Sequence, residues 1–152
     1  MATGAKVQQT ARAGEHYVAA ELNRRGAYAV TFAGNMPKID IFACDVDQKR
    51  TVRVQVKTRR TGTWHTSNDE GQKLNPRPNE TKFWIFVDIS KMDASPDYYI
   101  VPDWWMRNNI QEACDAYIKK KKGKITTESK HHSVDVKRIG KWKDRWDILR
   151  IF

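Results

Sequence analysis

A mixed α/β (α+β) domain, one central sheet flanked by helices, follows from three features of this sequence. An apolar stripe at helical spacing comes first, three runs of period two follow it, and two further strand-like runs lead into a second helical stretch. With 152 residues the chain suits a single domain spanning 1–152, long enough to bury roughly two thirds of the surface its unfolded form exposes.

QQTARAGEHYVAAELNRRG reads as an amphipathic helix that follows a loose terminus of about six residues and stops at Gly26, a C-cap glycine. Its stripe holds Ala11, Val18, Ala19 and Leu22, and Glu15 falls on the same stripe. A carboxylate placed there is either solvated at the stripe's edge or turned toward a cation or donor. Strands are predicted at Ala27–Ala33, Lys38–Val46 and Arg50–Thr58, separated by the loop GNMP and by a hairpin turn within DVDQKR. From Arg59 to Thr81 the polar, Gly- and Pro-bearing sequence predicts a long surface excursion. KFWIFVDIS and YYIVP add two strands, and Asp103 is placed to cap a helix running to about Lys119, with Met106, Ile110, Ala113, Cys114 and Tyr117 on one face. The last stretch, HHSVDVKRIGKWKDRWDILRIF, suits strand or helix.

Composition narrows the function. Lys and Arg number 28 against 18 Asp and Glu, and the net charge of +10 favours a polyanionic partner, nucleic acid first. A basic interaction protein with no nucleic-acid role fits the same charge. The apolar run FWIFVDI is too short to span a bilayer and the N-terminus lacks a signal-peptide core, so a cytoplasmic protein without membrane contact is expected. Cys44 and Cys114 are too few for a disulfide framework and read as buried thiols. His16, His65, His131 and His132 are too scattered for a zinc site, and no Gly-rich phosphate loop, GxSxG or paired CxxC occurs.

One segment breaks the apolar pattern. In RTVRVQVKT the valines 52, 54 and 56 share one face, so Gln55 and Lys57 share the other, about 7 Å apart. A hairpin loop of even length sets Asp40 of KIDIFA opposite Gln55, within roughly 5 Å between Cβ atoms; an odd loop turns Asp40 to the other face. Asp40, Gln55, the Val56 carbonyl and Glu15 would together offer hard oxygen donors suited to Mg²⁺ or Mn²⁺. The same residues also suit a plain Asp40–Lys57 ion pair beside a polar Gln55.

A helix Glu, then IDIFA, then VQVK resembles the PD-(D/E)xK nuclease superfamily. GEHYVAAELNRRGAYAVTFAGN with KIDIFA and VQVKT is most similar to the small archaeal-type Holliday junction resolvases and bacterial relatives of that fold, over Ala13–Arg60. The resemblance implies a restriction-endonuclease-like core and a metal-dependent DNA endonuclease, possible on branched DNA and as a homodimer. It makes Asp40 the metal-binding aspartate, Gln55 the occupant of the second acidic position, Lys57 the motif lysine and Glu15 the helix glutamate. Gln55 departs from the pattern by bringing no charge, and Lys38-Ile39 stand before Asp40 where the motif has proline. A nuclease fold that binds DNA without cutting is the alternative. Arg53, Arg59, Arg60 and the run Lys119, Lys120, Lys121 and Lys122 are candidates for phosphate contact, and Trp64, Trp104 and Trp105 for stacking on unpaired bases.

Overall fold

The computed structural model describes residues 3–34, 36–121 and 129–152. Chain order runs α1 (Gly4–Arg24), β1 (Tyr28–Thr31), β2 (Ile41–Cys44), β3 (Thr51–Arg59), β4 (Trp64–Ser67), β5 (Lys82–Asp88), β6 (Asp97–Pro102), α2 (Asp103–Lys120), β7 (His131–Val134) and α3 (Val136–Ile139). Short 3₁₀ turns occupy Asn68–Glu70, Gly140–Trp142 and Trp146–Leu149. Five strands form one mixed sheet in the order β1-β2-β3-β5-β6, with β3 and β5 parallel and the other neighbours antiparallel. The expected α+β plan is the one observed.

Period-two alternation along β5 builds a core on each face. Phe83, Ile85 and Val87 join Val52 and Val54 of β3 beneath Val18 and Leu22 of α1, with Trp146, Leu149 and Ile151 closing that side. Trp84 and Phe86 face the other way, against Met106 and Ile110 of α2. All five residues from Phe83 to Val87 are buried, as a strand covered on both faces requires.

Several sequence expectations need correction. Helix α1 starts at Gly4, and its buried stripe is Gly14, Val18 and Leu22, while Ala11 is exposed. The supposed excursion after Arg59 contains β4, which pairs with β7 in a separate two-stranded sheet and buries Trp64 at 1% exposure. Trp64 stacks edge-on against Phe86 and Tyr99, so it belongs to the core and is not free for bases. Asp103 opens α2 without capping it; its carboxylate accepts from Trp84 Nε1 at 2.7 Å and Arg107 Nε at 2.8 Å. Tyr117 is exposed, and both cysteines are half-buried rather than buried.

Two glycines carry geometry. Gly26, at φ +104°, ends the helix region in a conformation that costs a side-chain-bearing residue energy. Gly14 lets α1 approach β3 so closely that a Cβ placed there would lie 2.8 Å from the Thr58 Cβ and overlap its hydroxyl. Arg59 is likewise structural in setting: its guanidinium bonds the Asp88 carboxylate through Nε at 3.0 Å and Nη2 at 2.5 Å, and lies 3.9 Å over the Trp64 ring.

Gly14→Ala gains about 1 kcal/mol of helix propensity but overpacks the contact by roughly 1–3 kcal/mol, so a lower Tm is expected in calorimetry. Arg59→Met strands the half-buried Asp88 carboxylate and should lower stability by about 3 kcal/mol in urea titration, more than Arg60→Met at the exposed neighbour.

Candidate active site

The β2–β3 hairpin decides where Asp40 stands. Its ladder runs from Cys44–Thr51 to Ile41–Val54. Beyond Cys44 the turn closes with Asp45 N–H donating to the Arg50 carbonyl at 3.3 Å and Arg50 N–H donating to Asp45 Oδ1 at 2.7 Å. Residues 46–49 form the loop, an even number, so the register continues to Asp40 opposite Gln55. There the backbone leaves the ladder. Asp40 N–H donates to the Val54 carbonyl at 2.8 Å, and its own Oδ2 accepts the Val56 amide at 2.7 Å. A side-chain carboxylate thus stands where a partner strand's carbonyl would be, against the amide of the residue between Gln55 and Lys57. Two residues upstream, Lys38 adopts φ +63°, a left-handed conformation that costs a non-glycine residue about 1 kcal/mol.

Glu15 meets Asp40 across a small cavity of about 150 Å³, walled also by Ala11, Arg12, Phe32 and Ile39. Arg12 donates to Glu15 Oε2 at 3.1 Å from one helical turn away, and reaches toward the Phe32 carbonyl at 3.5 Å. Burial pushes the Asp40 carboxyl above the usual carboxylate range, against the pull of the Val56 amide, Lys57 and Arg12. Burial also pushes Lys57 below the usual lysine range, while the charges of Asp40 and Glu70 hold its proton. The Lys57 ammonium lies 5.8 Å from the centre of the Trp84 ring.

Gln55 opens elsewhere. It lines a second cavity of about 150 Å³ with Lys38, Arg53, Lys82, Trp84 and Arg107, and Ile39 borders both spaces. The structure therefore brings Asp40 and Glu15 to one cavity and Gln55 to the neighbouring one, while Lys57 lines neither, feels the charges of both Asp40 and Glu70, and lies near Trp84 of the Gln55 cavity. Among the described residues no three His, Cys, Asp or Glu side chains cluster as a metal site. The oxygens on hand are Asp40 Oδ1, which takes no protein donor among the described residues, the Glu15 carboxylate and the Val56 carbonyl, which leaves β3 on the same edge as its amide. A desolvated carboxylate with an unengaged oxygen beside a second carboxylate fits a hard divalent cation.

Two residues escaped the sequence reading. Arg12 answers the charge of Glu15, and its i, i+3 spacing on the helix was a visible signal. Glu70, only 8% exposed, sits 3.4 Å from both Lys38 and Arg107 and is felt by Lys57. No periodicity marks it, because it lies on a 3₁₀ turn. Of the proposed phosphate contacts, Arg53 is half-buried at the Gln55 cavity and Arg60 is exposed, donating to Thr10 Oγ1 at 2.8 Å. Arg59 is engaged by Asp88 as described. Lys119, Lys120 and Lys121 are exposed at the end of α2, whereas Lys122 lies outside the described residues. Trp104 and Trp105 are half-buried. No helix among the described residues is long and apolar enough to cross a membrane.

No family model matches the chain, and neither does any curated protein sequence. Among solved structures, the fold is similar to that of a bacterial homing endonuclease, I-Ssp6803I, with a TM-score of 0.50 and 14% identity over 94% of this chain and 93% of that one. At that identity the likeness is one of fold: a five-stranded mixed sheet between helices, in an arrangement shared with a nuclease.

Proposed function

We propose that this chain is a divalent-metal-dependent DNA endonuclease of the PD-(D/E)xK type, acting on duplex or branched DNA. The observation that carries the reading is the Asp40 carboxylate seated on the Val56 amide between Gln55 and Lys57, with Glu15 across the cavity. The nuclease-like fold and the net charge of +10 support it.

Asp40 Oδ1, Glu15 and the Val56 carbonyl would hold Mg²⁺ or Mn²⁺, while Gln55 faces the adjoining cavity. When bound, the ion acidifies a coordinated water and offsets negative charge on the phosphate. Lys57 orients the attacking water by hydrogen bonding or meets the developing phosphorane charge with its ammonium, an interaction strengthened by its burial. Asp40 serves only when ionised. Arg53 and Lys82 at the adjoining cavity, with Lys119 to Lys121, position the phosphate backbone without reading sequence.

A second reading, DNA binding without cleavage, draws on the absence of charge at Gln55 and on Arg12, whose guanidinium already answers Glu15. Plasmid nicking separates the two. With Mg²⁺ or Mn²⁺ the wild type should nick supercoiled DNA, while Asp40→Ala and Lys57→Ala each lose about a thousandfold, the scale of removing one transition-state stabiliser. EDTA should abolish the product and leave binding in place. Binding by a wild type that makes no product at any metal concentration would establish the second reading.

The pH profile follows from the two buried groups. Asp40 must lose its proton and Lys57 must keep one. Burial raises the first ionisation in the metal-free protein, a shift that a bound cation opposes, and lowers the second, so the alkaline limb should lie below the ordinary lysine range. Lys57→Arg should move only the alkaline limb upward, because guanidinium keeps its proton. A single-turnover pH series on both proteins reads this directly.

A further inference from the structure

The two edges of the central sheet are finished differently. Beyond β6 the chain covers its own edge, where Tyr99 bridges to Lys143 and Asp144 N–H donates to the Tyr98 carbonyl at 2.9 Å. At the other edge, β1 has no strand beyond it among the described residues. The ladders inside the sheet fix which way its peptide groups point. Arg53 N–H donates on the β5 side, to the Thr81 carbonyl at 2.8 Å, so Val52 and Val54 turn their peptide groups to β2. Their partners Ala43 and Ile41 answer them, which leaves Phe42 and Cys44 to bond Val30 and Tyr28. Ala29 and Thr31 therefore aim N–H and C=O out of the sheet, and no loop or side chain among the described residues engages them.

The side chains at this edge are apolar and open. Tyr28 and Val30 are 55% and 61% exposed on the face away from α1, beside the half-buried edge-on pair Phe32 and Phe42. Only the small side chains of Ala27, Ala29 and Thr31 lie on the α1 face. From Gly26 to Pro37 no charged residue occurs, the longest such stretch in a chain that is 30% charged. Edge strands are commonly guarded by Lys or Pro, and β1 carries neither. Copies of a chain with net charge +10 repel one another, and this uncharged edge is where that repulsion is least.

We propose that β1 pairs antiparallel with β1 of a second copy of this chain, about a two-fold axis at Ala29, joining the two five-stranded sheets into one. Two parities select this register. Opposed residues must share a face, and the residues at and beside the axis that bond across it must be those whose peptide groups point outward. Centred on Ala29, the pairing also uses the whole strand. Ala29 exchanges N–H to C=O bonds with the partner's Ala29, and Thr31 N–H donates to the partner's Ala27 carbonyl; Ala27 N–H is already taken by the Leu22 carbonyl at 3.1 Å. Tyr28 stands opposite the partner's Val30 on the open face, with Cβ atoms roughly 5 Å apart, and symmetry makes this aromatic-on-β-branched pair twice. The contact depends on the sheet alone and not on the chemistry at Asp40.

Sedimentation equilibrium of the full chain tests the contact. The mass should rise from the monomer's 17.7 kDa toward twice that value between about 1 and 500 μM, as suits an interface of modest area. Added salt should tighten the dimer by screening the net charge, the opposite of its effect on phosphate contacts. Val30→Lys should weaken association at least about tenfold, because the cross-strand pair is lost twice, with circular dichroism unchanged. Ala29→Pro removes a donor that the ladder to β2 does not use and should abolish association. Met92→Lys, at an exposed apolar residue elsewhere, should leave the dimer intact. Amide exchange at Ala29 and Thr31 should slow as protein concentration rises. A mass of 17.7 kDa throughout, association undiminished in Val30→Lys, or exchange at Ala29 that ignores concentration overturns the proposal. A monomer whose Ala29 amide exchanges fast at every concentration leaves the edge to a strand of a different protein. DNA nicking by a strictly monomeric chain removes this interface and leaves the nuclease reading standing; a dimer that never nicks does the reverse.

Discussion

The hydrogen bond from the Val56 amide to the Asp40 carboxylate organises the rest of the site. A strand that stops at Ile41 leaves the next amide of β3 without its ladder partner, and a buried amide must find an acceptor. Asp40 supplies one oxygen and keeps the other unengaged. The acid is thereby fixed against the central strand, one residue from both Gln55 and Lys57, by an interaction that belongs to the sheet itself. Its position is as firm as the ladder below it, which is what a metal ligand needs and what a carboxylate on a mobile loop lacks.

Helix α1 contributes the second acid through packing. Gly14 allows the helix backbone to lie against Thr58, and Glu15, the next residue, reaches the Asp40 cavity from there. The same strand therefore sets both carboxylates and the lysine. Its far end is held by a different device: Arg59 joins Asp88 of the parallel neighbour β5 and covers Trp64 of the small sheet. The charged residues of β3 divide their work along its length, with chemistry at the middle and anchorage at the end.

The legible part of this arrangement was the part governed by period and parity. The valine alternation gave the faces of β3, and parity reduced the register to two choices, of which the four-residue loop between Asp45 and Arg50 takes the one that sets Asp40 toward Gln55. Glu15 was readable from its place on an apolar stripe. What parity could not give was the departure of Asp40 from the ladder, because a carboxylate replacing a carbonyl leaves no trace in hydropathy. β4 was hidden for a related reason: WHTS has one apolar residue, and its burial depends on pairing with HHSV nearly seventy positions later. Glu70 sits in polar, turn-rich sequence and acquires meaning only when its neighbours fold around it.

An amide capped by an ionisable group differs from one capped by a peptide carbonyl. Protonating the carboxylate, or drawing its electrons toward a cation, weakens its grip on that hydrogen, whereas the flanking ladder bonds are indifferent to either event. The backbone of residue 56 is thus a built-in reporter: deuterium uptake at this one nitrogen would register what happens chemically at the acid, in a strand whose ladder to its neighbours is otherwise made of peptide groups.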